Sequence, residues 1–289
     1  MKKQTGLTRI DAAVALACVA LVLAQAAVLN AGGRERTKKE VCLANLRTLT
    51  AAWQTYSSDN AGKLVNGAPT TGDICPGGCI GVNCKAKAPL PSDTWNYARH
   101  GNEIPWIGPA YTMPPSECCQ KCAIDTGALW KYVNDYNIYR CPTGNKGEMI
   151  TYVIVDAANG LPRAGTEAAG VWLKNKSQII KPASRLVFID EGKVSPDSYA
   201  VYYNEGSAAA SEKWWDPPMI RHEAGTCVSF ADGHSAHHKW KSKETISIGN
   251  SGAYNVPPTT CAGKNDLYWM QIGCWGQLGY TPSCPVSIE

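Results

Sequence analysis

The sequence predicts an α+β protein in which a long N-terminal pilin-type α-helix packs on an antiparallel β-sheet head with disulfide-rich irregular loops. Three observations predict this fold. The chain has no proline before Pro69, so one helix can run through its N-terminal part. Short β-like runs follow, separated by connections rich in Gly, Pro and Asn. Nine of the thirteen cysteines lie in stretches that lack any periodicity.

The helix is predicted from Ile10 to about Asp59, where Ser, Asp, Asn and Gly residues at 57–62 form a stop signal. Fifty residues of helix would span about 75 Å. Only its second half has an apolar stripe to bury against a domain. Glycines 32 and 33 predict an interruption between the two halves. The stripe consists of Cys42, Leu46, Leu49, Trp53 and Tyr56.

The head is predicted to begin at residue 61 and to extend to residue 289. Leu129–Val133 is interpreted as a short helical turn or an edge strand, and irregular, disulfide-held loops are expected at 67–122 and after Ile248. The predicted strands are Thr151–Val155, Arg185–Ile189, Ala200–Tyr203 and Thr226–Phe230.

Twelve of the cysteines lie outside the first apolar run and are expected to form six disulfides. Their connectivity does not follow from the sequence. For the group Cys118, Cys119 and Cys122, a zinc or redox site is the alternative. The net charge is only +4, and no basic patch interleaved with aromatic residues indicates nucleic-acid binding.

Two cleavage signals surround the apolar run Ala12–Ala24. The site Gly6-Leu7 precedes the run, and the A-x-A site Ala24-Gln25-Ala26 ends it. Glycine followed by a hydrophobic residue, threonine and, at the fifth position, Asp11 resembles a type IV prepilin or pseudopilin. The family usually has Phe or Met where this chain has Leu7, and Glu where it has Asp11.

A second motif lies near the C-terminal part of the head. Nine residues separate His222 from Asp232-Gly233, and this spacing resembles the H-X9-DG domain of large prepilin-like proteins. The corresponding region is 185–240, and the Cys-rich insert 67–122 is not accounted for by the family. Cysteines on the helix and after Tyr139-Arg140 match positions where the family has cysteine. The resemblance therefore implies a disulfide between Cys42 and Cys141.

These resemblances imply a leader peptide at 1–6 and an N-terminal helix at 7–60, with 7–30 as the membrane segment and filament core. A prepilin peptidase would cut after Gly6 and methylate the amine of Leu7, which Asp11 of an adjacent subunit would neutralise. The implied partners are further copies of the chain, the peptidase and an inner-membrane assembly platform.

The function expected from the sequence is a structural subunit of an extracellular or periplasmic type IV pilus-like or pseudopilus filament, located in the inner membrane before assembly. The alternative is a secreted or membrane-anchored disulfide-rich binding module that does not polymerise. No nucleophile elbow, phosphate loop or zinc-hydrolase motif occurs, so an enzyme is not expected.

No cofactor is expected, with one calcium site as the alternative. Asp190 and Glu191 end a predicted strand and would meet Asp232 if the two strands were neighbours. The interpretation favoured here is turn capping, with His222 and Asp232 hydrogen-bonded to the backbone.

Overall fold

The computed structural model describes residues 9–69, 99–108, 116–193 and 197–287, with the side chains of the first helix described from Gly33 onward. The fold is α+β: helices surround one four-stranded antiparallel sheet. Gly6 and Leu7 lie outside the described residues, as does the side chain of Asp11. The greater part of the Cys-rich insert, 70–98, is likewise outside them.

The first helix, α1, is a single element of 51 residues, Arg9–Asp59. The interruption expected at Gly32-Gly33 is wrong: two glycines cost about 2 kcal/mol of helix stability, and the Ala- and Leu-rich flanks outweigh this cost. The helix ends where Ala61 and Gly62 adopt left-handed backbone, and the amide of Gly62 donates to the carbonyl of Ser57 at 2.8 Å.

The second half of α1 is held by the head, as its apolar stripe predicts. Cys42, Leu46, Leu49 and Trp53 are completely buried, whereas residues 33–37 are exposed. Among the helices of the described part of the chain, none is both long and apolar enough to cross a membrane.

The sheet has the order β1-β2-β3-β4, and every neighbouring pair is antiparallel. Its first three strands are buried along their whole length, since α1 packs on β2, β3 and β4 and a C-terminal helix packs on β2. The strands are β1 (Tyr152–Ile154), β2 (Leu186–Asp190), β3 (Gly225–Phe230) and β4 (Ser235–Lys239).

Three of the predicted strands are confirmed, and the one at Ala200–Tyr203 is wrong. The amide of Ala200 donates to the carboxylate of Asp216 at 2.5 Å, and the amide of Val201 donates to that of Asp156 at 3.1 Å. Side chains therefore take the donors that a strand would give to a neighbouring strand.

Helices fill much of what was expected to be irregular. The segment after Ile248 holds a 15-residue helix, begun by the Thr260 cap and ended by Gly276 in left-handed conformation. The segment at 129–133 is helical, not an edge strand. The remaining helices are α2 (Glu117–Thr126), α3 (Trp130–Val133), α4 (Ala208–Ser211), α5 (Lys243–Ser251) and α6 (Cys261–Trp275). Short 3-10 helices occupy Tyr136–Tyr139, Lys176–Gln178 and Pro182–Ser184.

The expectation of six disulfides is wrong, because four of the twelve cysteines are buried free thiols. A disulfide joins Cys261 to Cys284, and Cys118 and Cys122 are also disulfide-bonded, which removes the zinc alternative for that group. The free thiols belong to Cys42, Cys141, Cys227 and Cys274.

Candidate metal centre

Four side chains of metal-binding type meet where α1 packs on the sheet, and we name them the junction cluster: Cys42, Cys141, Asp190 and His222. One potential ligand atom from each lies within 4.8 Å of all the others. All four residues are buried. The cluster joins four segments that are far apart in the sequence.

Three of the four positions follow from regular structure. Cys42 lies on the first buried turn of α1, and Asp190 is the last residue of β2. Cys141 follows the 3-10 helix Tyr136–Tyr139, and its amide donates to the hydroxyl of Thr151 at 2.6 Å. The helix, this loop and the sheet edge therefore converge on one point.

His222 is placed by an unusual turn. Its φ is +42°, and the next two residues, Glu223 and Ala224, have φ of +66° and +62°. Backbone hydrogen bonds between Arg221 and Gly225 close the turn, and a Cβ on Gly225 would lie 2.1 Å from the carbonyl oxygen of His238. Left-handed non-glycine residues cost of order 1–3 kcal/mol each, so the surrounding contacts must hold the imidazole in place.

The distances within the cluster are short. The Cys42 thiol donates to Asp190 Oδ2 at 3.4 Å, and Cys141 Sγ lies 3.1 Å from His222 Nε2. His222 Nε2 lies 3.4 Å from the same Asp190 oxygen.

One carboxylate oxygen of Asp190 and one ring nitrogen of His222 are left without hydrogen bonds in the described part of the chain. Among the described residues, neither Asp190 Oδ1 nor His222 Nδ1 has a hydrogen-bond partner, although both atoms are buried. Buried polar atoms are normally satisfied, so this site has ligand capacity left over.

Burial and neighbouring groups set the protonation states. Burial is the main cause that raises the pKa of the Cys42 thiol, and the hydrogen bond with Cys42 is the main cause for Cys141, followed by burial. Burial opposes the charge on His222, but the bonds with Asp190 and Cys141 outweigh it and raise its pKa to about 9. At neutral pH the raised pKa values therefore favour two protonated thiols and a charged imidazole on His222 in the cluster without metal.

A fixed positive charge flanks the cluster. Arg221 Nε lies 3.7 Å from Asp190 Oδ2, and Arg221 Nη2 donates to the Thr143 hydroxyl at 3.0 Å. Burial acts against its charge, but the Asp190 carboxylate raises the pKa of the guanidinium. Arg221 therefore remains charged and offsets part of the negative charge that the cluster can develop.

The expected disulfide between Cys42 and Cys141 is not found. Both are free thiols that are hydrogen-bonded to each other, and each sulfur also contacts the Asp190–His222 pair. The resemblance therefore identified two residues that meet, and in this structure they are free thiols.

The alternative of a calcium cluster made by Asp190, Glu191 and Asp232 does not match the structure. In the antiparallel register Leu186 pairs with Phe230, so Asp232 lies at the opposite end of β2 from Asp190. Asp232 Oδ1 instead accepts from the amide of His234 at 3.1 Å, which is the turn capping that the sequence suggested. Burial opposes its charge, but the bonds from His234 lower the pKa of Asp232.

His222 does not cap a turn through a backbone hydrogen bond, because its side chain enters the junction cluster. Gly233, between Asp232 and His234, has φ of +104° and is therefore required to be glycine. The two ends of the H-X9-DG motif thus have separate roles: one supplies an imidazole to the helix junction, and the other forms the β3–β4 turn.

Sequence reasoning singled out Cys42, Cys141, Asp190 and His222, but it assigned them to three different roles. Their convergence depends on the register of β2 and β3, which no local pattern encodes. No family model matches the chain, and neither does any curated protein or any solved structure.

Proposed function

We propose that the chain is a structural subunit of a type IV pilus-like or pseudopilus filament that polymerises through the N-terminal part of α1. The observation that supports this proposal is that one continuous helix has two parts that differ in burial. One face of its C-terminal part is buried in the head from Cys42 onward, whereas residues 33–37 on the N-terminal side are exposed.

A helix held at one end leaves the other end available for neighbours. The described helix continues from Gly33 back to Arg9, a length of about 36 Å at 1.5 Å per residue. The apolar run 12–24 falls within this part, and lateral packing of such helices would form a filament core with the heads outside. Processing after Gly6, with a prepilin peptidase and an inner-membrane platform as partners, belongs to the same proposal.

The test is the substitution Asp11→Ala. A charge buried without a partner costs several kcal/mol, so loss of the carboxylate that neutralises the Leu7 amine should block assembly but not membrane insertion. Filament yield is measured by negative-stain microscopy of sheared surface material, and membrane insertion by fractionation. Asp11→Glu should restore filaments, and Glu40→Ala, which removes an exposed carboxylate from the same helix, should leave them unchanged.

Filaments from Asp11→Ala at wild-type yield would contradict the mechanism. The mature N-terminus gives an independent measurement: mass spectrometry should find N-methylated Leu7. A chain that begins at Ala27 would instead identify the released form of the secreted binding module.

A further inference from the structure

We propose that the junction cluster binds one Zn²⁺ ion through Cys42 Sγ, Cys141 Sγ, Asp190 and His222 Nε2, and that this ion fastens α1 to the head. This inference goes beyond the filament proposal and does not depend on it. It rests on the geometry, the burial and the donor types of four residues.

The geometry fits a tetrahedral ion. Zinc bonds of about 2.3 Å to sulfur and 2.0–2.2 Å to nitrogen or oxygen separate tetrahedral ligand atoms by roughly 3.3–3.8 Å. The separations in the cluster are 3.4 Å for Cys42 Sγ to Asp190 Oδ2, 3.1 Å for Cys141 Sγ to His222 Nε2, and 3.4 Å for the nitrogen to the oxygen. Every other pair of ligand atoms in the cluster lies within 4.8 Å, so an adjustment of no more than about 1 Å would complete the coordination.

The donor types select the metal. Two sulfurs, one imidazole nitrogen and one carboxylate oxygen suit zinc, whereas calcium takes six to eight oxygen ligands. All four donors come from the protein and all four residues are buried. Such a closed site leaves no position for a substrate, so the ion acts in folding and not in catalysis.

The charges are also compatible with the ion. Two thiolates and a carboxylate carry three negative charges, and Zn²⁺ leaves one of them uncompensated. The Arg221 guanidinium, 3.7 Å from Asp190 Oδ2, supplies the remaining positive charge. The complete assembly is therefore neutral, which a buried site requires.

Zinc and a disulfide compete for the same two sulfurs. A Cys42–Cys141 disulfide would need the sulfurs at about 2.05 Å and would remove both as zinc ligands. The two thiols are hydrogen-bonded to each other without a covalent bond, and they also contact Asp190 and His222. The state of these thiols is therefore a direct test of the proposal.

The main experiment measures zinc in the full chain. The chain is purified under reducing conditions, loaded with Zn²⁺ and separated from unbound metal, and its zinc content is measured by inductively coupled plasma mass spectrometry. We expect one zinc per chain in the wild type, and a loss to background in Cys42→Ser and His222→Ala. Cys274→Ser, which alters an equally buried thiol on α6, should retain the zinc.

A second measurement does not depend on whether a variant folds. Co²⁺ added to the metal-free wild-type chain should give the visible absorption of a tetrahedral cobalt–thiolate complex, and Zn²⁺ should abolish it. Zinc should also raise the Tm of the wild type, because an ion bound only by the folded state stabilises it.

Three results would overturn the proposal. The first is a wild-type chain that retains no zinc and gives no cobalt–thiolate absorption. The second is undiminished zinc in folded Cys42→Ser and His222→Ala. The third is a Cys42–Cys141 disulfide found by peptide mapping of chain that was alkylated on extraction without a reductant.

Discussion

Two buried carboxylates hold distant segments together in this protein, and they differ in how fully they are hydrogen-bonded. Glu212, beside α4, accepts from the Tyr268 hydroxyl at 2.6 Å, from the Ser283 amide at 2.7 Å and from Lys264 Nζ at 2.9 Å. Asp190 in the junction cluster has one oxygen with no donor among the described residues, and its other oxygen has only contacts of 3.4 Å or longer.

The difference separates a structural clamp from a ligand site. Both oxygens of Glu212 accept hydrogen bonds from neighbouring donors. The Cys261–Cys284 disulfide also joins the C-terminal segment to α6 covalently. No acceptor capacity is left there for an added ion. At the junction cluster one buried oxygen of Asp190 has no donor among the described residues, and this unused acceptor suits a cation.

Asp190→Ala should have the largest effect on stability. In the metal-free chain it removes the carboxylate that both Arg221 and His222 face, and such a loss costs about 3–5 kcal/mol. Urea unfolding in the presence of a chelator measures the change. Glu212→Ala is the comparison, and it should cost less because one cationic side chain, that of Lys264, loses its partner there, whereas two lose theirs at Asp190. A smaller loss of unfolding free energy for Asp190→Ala than for Glu212→Ala would contradict this difference between the two sites.

Removal of the Cys261–Cys284 disulfide should rank second. The bond closes a loop with a sequence separation of 23, for which the chain-entropy treatment gives about 3 kcal/mol. The double variant Cys261→Ser/Cys284→Ser should therefore show a lower unfolding midpoint in urea. Its zinc content should be the same as in the wild type, since the junction cluster lies elsewhere; a loss of zinc would show that the two regions are coupled.

Acid should weaken the Glu212 clamp by a somewhat smaller amount. Burial opposes the charge, but bonds from Ser283, Tyr268 and Lys264 lower the pKa of Glu212 from 4.5 to about 2. A depressed folded-state pKa stabilises the protein above pH 4.5, and this stabilisation is lost as the pH falls towards 2. The expected loss is about 2–3 kcal/mol.

The measurement for this third effect is the free energy of unfolding between pH 6 and pH 2, compared between the wild type and Glu212→Gln. The variant lacks the titrating group, so the difference between the two curves should shrink as the pH falls. A constant difference would mean that the carboxylate is not held in its ionised form by these donors.

Long-range periodicity predicted much of the fold. The stripe on α1 and the runs at β1, β2 and β3 bury one continuous apolar surface, and a pattern of this kind can be seen in the sequence. The tail was missed because α6 buries residues on several sides, including Asp266, Gln271 and Gly273, so no simple stripe marks it. The residues Ala200–Tyr203 have high β-propensity but do not form a strand, because side-chain carboxylates accept the hydrogen bonds of their backbone amides.

The junction cluster could be predicted only as separate residues. The resemblance to the H-X9-DG domain drew attention to His222, Cys42 and Cys141, and strand-end chemistry drew attention to Asp190. The register of β2 against β3 decides whether Asp190 meets His222 or Asp232. Because the sequence alone does not reveal that register, it favours neither contact. The left-handed turn at 222–224 was equally invisible, since its residues are not the ones that usually adopt such backbone.

The first buried turn of α1 also has a mechanical consequence. A tensile force applied to the exposed part of the helix enters the head at Cys42, the point where the helix becomes buried. In series with that point lie Asp190, at the end of one strand, and His222, just before the next. Part of the force therefore passes through Asp190 to β2 and through the turn at His222 to β3, two neighbouring strands in the interior of the sheet.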